Sequence, residues 1–248
     1  MFILSTKPRH YLCFLFFTAM FSADLIKQRV AEEAAALVDN DMVIGIGSGS
    51  TVFYFIRALA SRVRNGLSCT GIPTSLETQK LASEQGIVLV GLNDVPFIDL
   101  AIDGADEIDD KLQLIKGGGG ALLQEKMVAA AAKERVIIAG SDKLHPQLGS
   151  FPLPVEVIPY GWKQVQQKIA ELYELTPVLR VKNNEPFLTD HGHYILDCPF
   201  QTILSPLILN NSLHAIPGVV ETGLFIDMCE KAIIGYPDGT IRHLTKPV

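Results

Sequence analysis

Between Asp24 and Ala139, short apolar runs alternate with helix-forming segments, and few folds accommodate that alternation. Met42–Ile46 reads Met-Val-Ile-Gly-Ile, wholly apolar over a strand's length, as a strand covered on both faces must be. Ser68–Gly71, Ile87–Val90, Phe97–Ile102 and Arg135–Ala139 read as further strands. Between them lie helical signals. Asp24–Val38 repeats apolar residues at Leu25, Val30, Ala34 and Leu37. Val52–Val63 follows a glycine–serine turn, Thr74 and Ser75 cap a helix running through Gln85, and Ala121–Lys133 is rich in helix formers. Strands separated by helices and short turns predict an α/β fold with a doubly wound, mostly parallel sheet. Ligands of such sheets bind outside the carboxyl ends of the strands.

From about Phe151 the texture changes. Pro152, Pro154 and Pro159 frame a strand at Val155–Ile158, and Trp162–Leu175 is helical. Pro177–Lys182 and His193–Asp197 are strand-like around turns at Asn183–Glu185 and Asp190–Gly192, and a helix is expected over Gln201–Asn210. Ile216–Phe225, Ala232–Tyr236 and Thr240–Leu244 read as closing strands, the last two joined by a hairpin turn at Pro237–Gly239. The predicted division is a Rossmann-like domain over 23–150 and 216–248, a smaller α+β domain over 151–215, and an extension over 1–22. In that extension Lys7, Arg9 and His10 precede an apolar run, Tyr11–Phe21, too short to span a bilayer. Ser22-Ala23 is a poor cleavage site and Met20 is an alternative start, so an upstream start or disposable extension is expected rather than a working signal.

Composition narrows the function. The 248 residues are 48% hydrophobic and 19% charged, which is globular, and the net charge of -6 argues against nucleic-acid or anionic-membrane partners. Cys13, Cys69, Cys198 and Cys229 are scattered without a C-x-x-C pair, which fits a reducing compartment rather than a disulfide framework or zinc site.

The chemistry concentrates at predicted strand ends. Asp103-Gly-Ala-Asp-Glu-Ile-Asp-Asp110 is followed by Lys116 and four consecutive glycines, Gly117–Gly120. Four glycines weaken any regular element but let backbone amides approach a ligand, and the helix behind them turns its positive end toward that ligand. Carboxylates, an ammonium and amides together suit a small anionic polyol. Asp103 and Asp106, nearest the strand end, are the functional candidates; Glu107, Asp109 and Asp110 read as solvated loop charges. The acidic spacing does not match a calcium loop and has no histidine beside it, so no metal is expected. Gly45–Thr51 lacks the third glycine of a dinucleotide fingerprint and the lysine of a P-loop, which leaves a hydroxyl-rich nest for one phosphate, or an empty structural turn. Glu125, one turn into the helix behind the glycines, reads as a general base or as a surface acid stabilising the dipole. Lys143 is a strand-end cation or a solvated lysine. The histidines read as surface residues.

In order, GSGST (Gly47–Thr51), TSLETQK (Thr74–Lys80), DLAIDGADEID (Asp99–Asp109), KGGGGALLQEK (Lys116–Lys126), SDK (Ser141–Lys143) and PGVVETGLF (Pro217–Phe225) resemble ribose-5-phosphate isomerases of the A type. The resemblance runs from about Asp24 to Leu244. It implies interconversion of ribose 5-phosphate and ribulose 5-phosphate in the non-oxidative pentose phosphate pathway. It also implies a cytoplasmic homo-oligomer, dimer or tetramer, without metal or cofactor. Carried over by motif, the substrate loops fall on Ser48, Gly49, Ser50 and Thr51, on Asp103, Gly104, Ala105 and Asp106, and on Lys116, Gly117, Gly118 and Gly119. Lys27 and Lys143 become further contacts and Glu125 the proton acceptor. Aldose–ketose isomerisation needs a base to shuttle a proton between adjacent carbons, and cations or amides to hold the oxyanion. Glu125 is assigned the first task and Lys116 with the glycine amides the second. Asp103 and Asp106 would orient hydroxyls and assist ring opening. Ser48 replaces a threonine usual in the family, and Asp190-His-Gly-His193 replaces Asp-x-Gly-Asn. Two rivals remain: a sugar-phosphate sensor that binds without turnover, and an acyl-CoA transferase of similar fold. Neither a helix-turn-helix segment nor an evident CoA site is legible.

Overall fold

The computed structural model describes residues 21–246. The expectations for Lys7 through Met20, including the alternative start, lie outside the described residues. The first half runs α1 (Ala23–Ala35), β1 (Val43–Ile46), α2 (Ser50–Arg64), β2 (Thr70–Pro73), α3 (Leu76–Glu84), β3 (Val88–Leu89), β4 (Ile98–Asp103), β5 (Glu107–Ile108), β6 (Leu114–Ile115), α4 (Leu122–Ala131) and β7 (Ala132–Gly140). The second half runs β8 (Leu153–Val157), α5 (Trp162–Tyr173), β9 (Val178–Leu179), β10 (Val181–Lys182), β11 (Glu185–Pro186), β12 (Tyr194–Cys198), α6 (Pro206–His214), β13 (Val219–Thr222), β14 (Leu224–Phe225), β15 (Lys231–Gly235) and β16 (Ile241–Thr245).

A seven-stranded sheet has the order β16-β15-β7-β4-β1-β2-β3, parallel except for β16 at one edge. The fold is the α/β fold with a mostly parallel sheet that the alternation predicts. The strands are apolar on both faces because both are covered. In β7, Val136 and Ile138 pack with α1 and α2, while Ile137 and Ala139 face the opposite layer with Leu122 and Phe225. Each such buried side chain is worth about 1.5–3 kcal/mol relative to exposure. From β1 the chain proceeds to β2 and β3 on one side, and β4 and β7 lie on the other. The β1–β4 boundary is therefore the switch point where a ligand crevice opens.

Several boundaries differ from the sequence expectations. Helix α2 begins at Ser50 rather than Val52, so two nest residues lie in its first turn. Strand β2 is displaced to Thr70–Pro73, and α4 ends at Ala131 because Ala132 already pairs with Ile98 in the sheet. The helix expected over Gln201–Asn210 occupies Pro206–His214. Gln201 has φ +63°, Ile203 N–H bonds Leu148 C=O, and Pro206 supplies the preset φ of a first helical residue.

The acidic run forms a small antiparallel sheet, β14-β6-β5, that was not anticipated. Glu107 is accordingly no solvated charge. It is buried, and Oε2 accepts from Gly149 N–H at 2.7 Å while Oε1 accepts from Phe151 N–H. Asp109 caps the turn between β5 and β6 through Lys111 and Gln113 N–H. A four-stranded antiparallel sheet, β13-β8-β12-β9, carries α5 and α6 around its own core of Val155, Leu196, Ile169 and Leu213. Val219–Thr222 pairs here, with β8, rather than in the large sheet. No helix among the described residues is long and apolar enough to cross a membrane.

Candidate active site

Strands β1 and β4 lie side by side and end together, so the segments after them are neighbours. Gly47 N–H continues the ladder to Ile102 C=O at 2.9 Å. Beyond it, Asp103 Oδ1 accepts from Ser48 N–H at 3.2 Å and from Gly104 N–H at 2.7 Å. The small sheet then folds the acidic run back along β6, with Asp106 N–H on Ile115 C=O at 2.8 Å and Lys116 N–H on Gly223 C=O at 2.9 Å. Thirteen residues apart in sequence, Asp103 and Lys116 thereby meet.

Lys116 Nζ donates to Gly104 C=O at 2.9 Å and lies 3.0 Å from both Asp103 Oδ2 and Glu125 Oε2. All three side chains are buried, with Lys116 4% and Glu125 6% exposed. Two carboxylates thus share one ammonium out of water. Burial opposes the Lys116 charge, but the carboxylates outweigh it and hold its pKa above the ordinary lysine value. Burial, reinforced by the Asp103 charge and resisted by Lys116, pushes Glu125 up to about 8. Asp103 is raised too, chiefly by burial, with Lys116 and its two amide donors pulling the other way. Glu125 Oε2 is charge-paired but receives no aligned hydrogen bond from any described residue.

These groups form the floor of a cleft of about 510 Å³. Lys27, Ser48, Gly49, Ser50, Thr51, Gly104, Ala105, Asp106, Lys116, Gly117, Gly118, Gly119, Glu125 and Lys143 all line it. Asp103 lies just behind, against a small cavity shared with Glu125 and Lys116. Every substrate-contact residue carried over by motif therefore lines this cleft except Asp103, which lies against the small cavity behind it. At one end α2 starts without a side-chain cap, so the Ser50–Val52 amides and the helix dipole face the opening. Lys27 on α1 and Lys143 after β7 add charge on that rim. At the other end lie the glycines. Gly117 (φ +100°) and Gly120 (φ +88°) hold conformations that L side chains rarely adopt, and a Cβ on Gly120 would stand 2.4 Å from the Phe187 ring.

Ser48 lines the cleft, yet its hydroxyl lies in a cluster with Thr74 Oγ1 and Ser75 Oγ, each at 2.8 Å, and Thr78 Oγ1 at 3.1 Å. Thr78 Oγ1 in turn donates to Gly47 C=O at 2.8 Å, so the TSLET segment braces the first loop. Sequence reasoning missed that brace, along with Phe21, Ile26, Ser141 and Pro237 as cleft walls. Their only signal was proximity to a motif. Among the described residues no histidine lines the cleft; His193 and His214 each lie 2.9 Å from a carboxylate, of Glu156 and Glu221, so they are engaged rather than simply exposed. Cys69, Cys198 and Cys229 are buried free thiols.

Comparison with known proteins identifies the family. The family model for ribose 5-phosphate isomerase A (phosphoriboisomerase A) matches residues 70–239. A ribose-5-phosphate isomerase A of Bacillus cereus is 55% identical over 215 residues, 86% of this chain and 97% of the relative. The ribose 5-phosphate isomerase A structure from Methanocaldococcus jannaschii superposes with TM-score 0.85 at 41% identity, covering 91% of this chain and all of that one. A D-ribose-5-phosphate isomerase in complex with phospho-erythronic acid gives TM-score 0.88 at 37% identity, again over 91% of this chain and 100% of the other. The chain belongs to the ribose 5-phosphate isomerase A family.

Proposed function

We propose that the chain interconverts D-ribose 5-phosphate and D-ribulose 5-phosphate through an enediolate. The observation that carries this reading is Glu125: a buried carboxylate of raised basicity on the floor of a cleft of about 510 Å³, beside an ammonium and a glycine loop. With the sugar phosphate at the α2 amides, Lys27 and Lys143, its carbonyl end reaches toward Lys116 and Gly117–Gly119. Glu125 takes the proton from C2 of the open-chain aldose, and the C–H electrons form the C1–C2 double bond as O1 gains negative charge. Lys116 and the glycine amides hold that charge. Glu125 returns the proton to C1 while the O2 hydroxyl proton passes to O1, so that O1 ends as a hydroxyl and O2 becomes the ketone oxygen. Asp103 and Asp106 orient hydroxyls and assist ring opening.

The relative that binds phospho-erythronic acid supports this reading, because an aldonic carboxylate presents a planar anion where an enediolate has one. Residues 23–150 with 224–246 form the catalytic part and 151–222 a smaller domain, the boundary falling after β13 because that strand pairs with β8; the working form is a cytoplasmic homo-oligomer, a dimer or tetramer, acting in the pentose phosphate pathway. A coupled assay for ribulose 5-phosphate on the full chain tests the proposal. Turnover is expected; tight binding without turnover would favour a sensor, and thioester exchange would favour a transferase.

A further inference from the structure

We infer that Arg180, held by Asp197, is a positioning residue that aims the glycine-loop amides at the oxyanion, an inference that rests on the isomerase reading. Arg180 lies between β9 and β10, outside the motifs that line the cleft. Its backbone is fixed on both sides, Arg180 N–H donating to Ile195 C=O at 2.8 Å and Phe187 N–H to Arg180 C=O at 2.9 Å. The guanidinium is held in a two-pronged ion pair, Nε donating to Asp197 Oδ2 at 2.9 Å and Nη2 to Oδ1. Its remaining prong, Nη1, donates to the Gly117 carbonyl at 2.8 Å and the Gly118 carbonyl at 3.1 Å.

In a trans peptide the N–H points opposite to the carbonyl it is bonded to. Holding the Gly117 and Gly118 carbonyls on the Arg180 side therefore turns the Gly118 and Gly119 amides the other way. Gly118 N–H goes to Asp106 Oδ2 at 2.7 Å. Gly119 N–H meets no acceptor among the described residues, and the residue is exposed in the cleft. The Gly117–Gly118 peptide is also held by Gly120 N–H on the Gly117 carbonyl at 3.0 Å and by Asp106, so without Arg180 it is the Gly118–Gly119 peptide that is free to flip. A flipped carbonyl would face the developing oxyanion and repel it. A fork is required, because one ammonium cannot engage Asp197 in two places and two carbonyls at once.

The test uses the full chain carrying R180A, R180K and D197N. R180A is expected to lower kcat by about 10²-fold, the usual worth of one oxyanion donor, with KM changed less than about threefold. Binding of phospho-erythronic acid should weaken at least about tenfold in R180A, while inorganic phosphate binds as in the parent, because only the former has an anion at the glycine end. Millimolar guanidinium ion should restore part of the lost kcat in R180A and none in R180K. A parental kcat in R180A, or equal weakening of both ligands without guanidinium rescue, overturns the inference. Should R180A fail to fold, D197N keeps the question open to disproof: a kcat drop of about fivefold or more at near-constant KM is expected, and unchanged kcat overturns it. Absence of turnover in the parent chain would instead defeat the isomerase reading itself.

Discussion

In the proposed mechanism Glu125 serves as the base because its surroundings disfavour its charge. A carboxylate near pH 4 would be too weak a base for a sugar C–H; one pushed up to about 8 is better matched. Two predictions follow from that placement. Glu125→Gln keeps size and most contacts but cannot take a proton, so kcat should fall by roughly 10²–10⁴ with KM nearly unchanged. Solvent exchange of the transferred hydrogen, read by NMR in deuterium oxide, should stop with it; near-parental turnover would pass the role to Asp103 or Asp106. Because the base works ionised, kcat/KM should climb with pH through 7 to about 8 and level off above, beyond the substrate phosphate's own ionisation near 6. A profile flat from pH 6.5 to 8.5 would refute a raised pKa. At this scale Glu125 was legible because four glycines and a lysine precede it. Glu107 was not, because burial of a carboxylate by backbone donors from 149 and 151 leaves no local mark in sequence.

The elements carry these residues to one another, and their legibility was uneven. Wholly apolar runs betray buried parallel strands, so β1, β4 and β7 were readable. Two-residue strands such as β5 and β6 have no periodicity to read, and they are what bring Lys116 back to Asp103. The starts of α2 and α6 were misplaced because a nest and a positive-φ residue are backbone choices, decided by tertiary bonds. The loop after β1 is tightly fitted: a Cβ on Gly47 would stand 2.1 Å from the Asp103 carboxyl. Gly47→Ala must displace Asp103 and should cut kcat at least about tenfold, comparable with other losses of catalytic alignment. Thermal unfolding separates that from misfolding, and an alanine variant with parental kcat would show the contact yields. Thr51→Ala, in the first turn of α2, removes a hydroxyl from a site that holds ground and transition states alike, so KM should rise more than kcat falls. A collapsed kcat at constant KM would place this loop in the chemistry instead.

At the scale of the whole molecule, the main sheet brings a Rossmann-like crevice to a triad of buried charges, and the fold pays for that triad in stability. An ammonium 3.0 Å from both carboxylates fills the place a bridging cation would take, so activity should survive exhaustive chelation; loss in EDTA restored by a divalent ion would contradict the enediolate reading. Two carboxylates on one buried ammonium leave a net negative charge when both are ionised, and that cost depends on pH. The folded pKa of Glu125, about 8, lies above its ordinary 4.5. Between those values the folded chain binds more protons than the unfolded one, so this group's stabilisation is complete below about 4.5 and lost as pH rises through about 8. Asp103, also raised, acts with the same sign; Lys116, raised above an already high value, stays charged throughout and adds no slope. Glu125→Gln removes the carboxylate whose ionisation is most resisted and leaves Lys116 with Asp103 as a neutral pair. The variant should therefore match the parent in Tm near pH 5.5 and exceed it near pH 8.5. Even 1 kcal/mol of relief corresponds to about 2–4 °C in a chain of this size. Thermal unfolding at the two pH values decides. A variant no more stable, relative to the parent, at pH 8.5 than at pH 5.5 would show that Lys116 already compensates both carboxylates and that the raised basicity of Glu125 has another origin.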